Sequence, residues 1–174
     1  MTVVYDFRMT QARAAETNPL TDFEALAFFA ADHAAVESGK AYVSGGFWDQ
    51  LNFPAYPAQV SLSLVAVIKV PSRAYLEDHQ VTVTMIDEDD NVLPLRIEGH
   101  IRVGASPNLR PGDPTIVPIA FPLPGMTIEH TGDYWFVLTI DGNEKARYRI
   151  RAVQVGSVYP PASEAPGGEG AEEE

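Results

Sequence analysis

The sequence predicts an all-β protein: an antiparallel β-sandwich, immunoglobulin-like or related, with about eight strands and a short N-terminal arm. Three observations predict it. From residue 24 onward apolar residues recur with period two, the repeat of strands with a buried face. These runs are short, and polar turns rich in Gly, Asp, Asn and Pro separate them. After residue 20 no stretch carries the 3.6-residue repeat of an amphipathic helix.

The elements follow in order. Residues 1–22 form the arm, in which "MTQARAAET" suits a short helix and "NPLTD" stops it. "ALAFFAADHAAV" is apolar on both faces and reads as a central strand. "ESGK" supplies a turn, and "AYVSGGFWDQL" returns as its hairpin partner. "VSLSLVAVIKV" sets Val60, Leu62, Leu64, Ala66, Ile68 and Val70 on one face, against Ser61, Ser63 and Lys69. "VTVTMI" points Val81, Val83 and Met85 inward. "VLPLRIEGHIRV" does the same with Leu93, Leu95, Ile97, Ile101 and Val103. "GASPNLRPGDP" is a loop. "TIVPIAF" is a short strand that Pro118 marks as an edge or a bulge. "DYWFVLTI", "DGNE" and "KARYRIRAV" make a closing hairpin. The sandwich is thus expected over residues 23–155, with a disordered acidic tail over 156–174.

Length and charge narrow the function classes. A chain of 174 residues fits one domain with a core large enough to need no staple. It has no Cys, which removes Cys-based zinc sites, iron–sulfur clusters and thiol nucleophiles. The net charge is −12; the tail after Gly156 holds five of the 24 acids and no base, leaving 19 acids against 12 bases, or −7, in the rest. Such a body is ill suited to the phosphates of nucleic acid or to an anionic membrane. The N-terminus lacks the basic and apolar regions of a secretory signal, and no run reaches a membrane span, so a cytoplasmic location is expected.

"FFAADHAAVESGKAYVSGGFWDQLNFP", "VAVIKVP", "MIDEDDN", "IEGHIRVG" and "GDYWFVLTIDG" together resemble an uncharacterised bacterial, actinobacterial-type β-sandwich family of unknown function. The resemblance runs from about residue 24 to 155. It implies the fold and brings no reaction, cofactor or functional residue.

Candidate sites come from the residues themselves. Gly45 and Gly46 precede Phe47 and Trp48, and glycines within a strand suit a bulge that turns one of these aromatics inward. If exposed, Trp48 is a ligand-binding shelf. In "DEDDN", Asp87, Asp89 and Asp90 are candidate calcium ligands, although the same residues suit an ordinary hairpin turn. No histidine has metal-motif spacing, and no nucleophile elbow, phosphate loop or dinucleotide fingerprint occurs. "ARYRIRAV" aligns Arg147, Arg149 and Arg151 on one face, about 7 Å apart. Arg96 and Arg102 extend this stripe if their strand adjoins. The stripe can grip a partner's carboxylates, or be neutralised by neighbouring acids. The expected function is a non-enzymatic protein-interaction or scaffold module, acting through a sheet face or edge, without a cofactor and as a possible homo-oligomer. The alternative is a calcium-dependent or small-ligand-binding sandwich.

Overall fold

The computed structural model describes residues 22–104, 110 and 112–156. The arm, apart from Asp22, and the tail, apart from Gly156, lie outside the described residues, as does most of the 105–111 loop.

Nine strands form among the described residues. They are β1 (Glu24–Glu37), β2 (Lys40–Gly46), β3 (Gln50–Phe53), β4 (Ala58–Val70), β5 (His79–Ile86), β6 (Val92–Ile101), β7 (Thr115–Ile128), β8 (Gly132–Ile140) and β9 (Asn143–Gln154), with one 3-10 turn at Ser72–Ala74. One sheet has the order β2-β1-β4-β7 and the other β3-β9-β8-β5-β6. The all-β sandwich expected from the period-two runs is the architecture observed.

Two hairpins are set by local chemistry. Ser38 and Gly39 (φ 50° and 74°) join β1 to β2, and Asp141 and Gly142 (φ 50° and 77°) join β8 to β9. Positive φ at both central residues is the turn that matches strand twist, and Gly takes it without steric cost.

The ninth strand arises where one was expected to run on. "AYVSGGFWDQL" splits into β2 and β3, in different sheets. The β1–β2 register is unbroken from Glu37↔Lys40 to Ala31↔Gly46, so the glycines make no bulge. Instead Gly45 (φ 61°) and Phe47 (φ 66°) turn the chain out of the sheet. Gly45 lies opposite Asp32, and a Cβ there would collide with the Asp32 carboxylate. β3 then runs parallel to β9.

Between the sheets, Leu64, Ile68, Phe136, Leu138, Ile140 and Ile150 are fully buried. Each contributes roughly 1.5–3 kcal/mol by leaving water. The row Ala30↔Leu64↔Phe121 belongs to this core. The neighbouring row Phe29↔Val65↔Ala120 faces away from the second sheet, yet Phe29, Ala31, Ser63 and Val65 are also buried. The sheet curls over that face: its two edge strands, β2 and β7, come within 8 Å, Cα to Cα. Alanines along β1 permit so tight a curl, and a second apolar cluster fills it.

Candidate functional site

On one flank the sandwich stays open. Edge strands β6 and β7 lie on either side of a cleft of about 520 Å³. Its walls are Leu93, Leu95 and Ile97 from β6, Leu123 and Met126 from β7, and Met85 from β5. Leu93, Leu95 and Ile97 are partly exposed, because the sheet ends there and, among the described residues, no further strand covers them. Arg96, Glu129 and His130 stand among the lining groups. The Tyr134 hydroxyl donates to the His130 carbonyl at 2.9 Å and fixes the β7–β8 turn at the cleft. Burial pushes the Tyr134 phenol up.

The two edges of the cleft differ. β7 contains Pro118, Pro122 and Pro124, which have no N–H to offer another strand. β6 has only Pro94, near its start, and then runs to Ile101. At Gly99 a Cβ would meet nothing within 4 Å, so this inward-facing position, paired with buried Val81, is unfilled.

Each residue singled out in the sequence has a definite place. Arg147, Arg149 and Arg151 share the outer face of β9, and their own chain's acids engage them. Arg147 Nε and Nη2 donate to Glu144 at 2.7 and 2.9 Å, and Arg151 Nε and Nη2 to Asp133 at 2.7 and 2.9 Å. Arg149 lies 3.6 Å from Asp49 and 3.7 Å from Asp133. The hydrogen bonds from Arg151 hold Asp133 below the usual carboxylate range. Arg96 shares a row with the stripe, Arg147↔Val137↔Thr84↔Arg96, but two strands lie between, and it pairs with Glu98 at 2.6 Å. Arg102, 3.4 Å from Asp78, stands apart.

Asp87 is occupied by its own turn. Its carboxylate accepts from the backbone N–H of Asp89 and Asn91 (both 2.9 Å) and from Asn91 Nδ2 (3.0 Å). The bond from the Asn91 side chain leads the causes that keep Asp87 below its ordinary value. Asp90 faces Arg147 at 3.6 Å. Among the described residues no three His, Cys, Asp or Glu side chains are grouped as metal ligands.

Trp48 is half-buried against the core, whereas Phe47 is 74% exposed and stacks on Phe29 with ring centroids 3.9 Å apart. Of the two aromatics, Trp48 is the one that turns inward.

One polar pair was not anticipated. His79 Nδ1 lies 2.7 Å from Asp141 Oδ2, and Nε2 lies 3.2 Å from the Ala74 carbonyl. Both ring nitrogens are thus engaged within the fold, one by a carboxylate and one by a backbone carbonyl. The bond from His79 lowers the Asp141 carboxyl below its usual range.

Residues 26–153 match the family described as "Family of unknown function (DUF6941)". The chain belongs to this family. The DUF6941 segment thus extends from β1 almost to the end of β9, and takes in both edges of the cleft. No curated protein matches the chain. Similar solved structures include a β-glucosidase from Listeria innocua in complex with glucose (10% identity, TM-score 0.40, 78% of this chain and 16% of that one). Another is the Pseudomonas fluorescens alkylpurine DNA glycosylase AlkC bound to DNA containing an abasic site analog (8% identity, TM-score 0.37, 72% and 30%). The chain spans under a third of either protein, and likeness at these scores carries no argument about activity. Among the described residues no helix is long and apolar enough to cross a membrane.

Proposed function

We propose that this domain is a non-enzymatic protein-interaction module that binds at its open flank. An extended segment of a partner adds alongside β6 and places apolar side chains in the cleft between β6 and β7. The observation that carries this reading is the cleft itself, about 520 Å³ between two edge strands and walled by apolar side chains from both sheets. Strand addition supplies affinity through main-chain hydrogen bonds, and pockets for alternate side chains supply specificity. Gly99 adds a second opening four residues, or about 13 Å, along the strand from Leu95. In this reading Arg147, Arg149 and Arg151 brace the outer face of β9, and of the basic residues Arg96 is the one beside the partner. A bacterial cytoplasmic setting belongs to the same proposal, on the strength of the sequence resemblance and the acidic composition.

A tagged pull-down from bacterial lysate tests it, comparing wild type with Met126→Trp, which fills the cleft, and Gly99→Leu, which fills the opening. The expected result is a partner held by wild type and lost from both variants at unchanged melting temperature. Recovery of the same partner with the cleft filled overturns the proposal. The volume also suits a small apolar ligand. A small molecule released from wild type by heat denaturation, and absent from Met126→Trp, favours that second reading.

A further inference from the structure

The apolar walls of the cleft do not say what surrounds the inserted side chain; the charges at its mouth do. The β5–β6 turn, residues 87–91, joins two lining strands and carries Asp87, Glu88, Asp89 and Asp90. Asp90 is committed to Arg147 on the outer face. Asp87 is close enough to act electrostatically on both His130 and Tyr134. The Glu88 carboxylate lies 3.8 Å from where a Cβ on Gly132 would stand, beside the same turn as His130. Glu129 is itself a lining residue, and its charge acts on Tyr134. On the basic side, Arg96 is held by Glu98 at 2.6 Å, and the Nδ1 of His130 is 2.9 Å from the Thr131 carbonyl. An apolar cleft therefore opens beside Asp87, Glu88 and Glu129, while Arg96, a cation of its lining, is held by Glu98.

Resting on the open-flank reading above, we infer that the segment bound there is basic as well as apolar: an extended peptide whose large apolar residue enters the cleft while flanking Lys or Arg residues meet the acidic rim. The alternation of a strand makes the two demands compatible. Successive side chains point to opposite faces, so apolar residues at i and i+4 reach the cleft and Gly99 while the odd positions between and beside them are free for cations. Rim charges of this kind steer and select more than they bind. An acidic competitor is rejected by like charge, and the preference weakens as salt rises.

Fluorescence anisotropy on the full chain tests the inference. The probes are two labelled ten-residue peptides alternating Val and Lys, or Val and Glu, each with one central Leu. The variants are Glu88→Gln/Asp89→Asn/Glu129→Gln, which leaves Asp87 to hold its turn, and Met126→Trp. At low salt the Lys peptide is expected to bind at least about tenfold more tightly than the Glu peptide. That ratio should shrink toward one in 0.5 M salt and in the triple variant, and Met126→Trp should abolish binding of both. Equal affinity for the two peptides, with Met126→Trp still abolishing binding, overturns the charge inference and leaves the open-flank reading standing. Binding of the Lys peptide that survives Met126→Trp overturns both, because the contact is then diffuse attraction to an acidic protein.

Discussion

The Tyr148 hydroxyl, midway along β9, donates a 2.6 Å hydrogen bond to the carbonyl of Trp48 in the link between β2 and β3. This bond crosses from one sheet to the connection that leaves the other. Phe47 N–H donates to the Ala30 carbonyl at 3.0 Å, and the Asp49 carbonyl accepts from Arg151 N–H at 2.8 Å. The link is thus pinned at three consecutive residues. That flank of the sandwich is closed by covalent chain and hydrogen bonds, while the β6–β7 flank has the cleft.

Tyr148→Phe keeps the ring and removes the donor. It leaves the Trp48 carbonyl short of a partner beside the core, at an expected cost of about 1–2 kcal/mol. Urea unfolding reads this as a lower midpoint at unchanged slope. An unchanged midpoint would mean that water replaces the hydroxyl.

Gly45→Ala faces two separate obstacles, a left-handed backbone (φ 61°) and the Asp32 carboxylate over the Cα. The backbone alone costs about 1–2 kcal/mol. The double variant Gly45→Ala/Asp32→Ala should recover the collision and retain the backbone loss. If Asp32→Ala rescues nothing, the carboxylate rotates away freely and the Gly is required for φ alone.

Arg151→Ser removes the two bonds to Asp133. Because the Asp133 carboxyl is lowered in the folded state, its pairing stabilises above the unfolded value of about 3.8 and ceases to do so as pH falls through the folded value. Wild type should therefore exceed Arg151→Ser in urea midpoint at pH 6, with the gap narrowing below pH 3.8. High salt should narrow it too, since the pair is exposed. A gap independent of both pH and salt would assign the loss to packing of the arginine stem.

Calcium at 5 mM should shift the melting temperature by less than about 1 °C, because a ligand stabilises only a state that binds it. The Asp87 oxygens already accept three bonds within the turn. A larger rise, reversed by chelator and lost in Asp89→Asn, would establish the acidic loop as a cation site.

Much of the sandwich is determined by sequence alone. Period-two alternation selects the inward residues of β4 and β5, and every one named on β5 is buried, because alternation is a property of the strand backbone itself. The Ser38-Gly39 and Asp141-Gly142 turns are likewise local, since their chemistry lies within two residues. What sequence cannot reach is pairing between distant strands. Arg147 takes Glu144 from its own strand, but whether acids face Arg149 and Arg151 depends on what lies beside β9, so the same arginines read equally as a partner surface or as a braced face. The division of "AYVSGGFWDQL" between two sheets depends on Asp32 standing over Gly45 and on Tyr148 reaching Trp48, a contact across 100 residues. The cleft is the clearest case. Met85, Leu93 and Leu95 read as ordinary core in sequence, and only the sheet order, which leaves β6 and β7 as edges on one flank, turns them into the walls of an opening. Local periodicity settles which side chains face inward; the three-dimensional neighbours decide whether anything covers them.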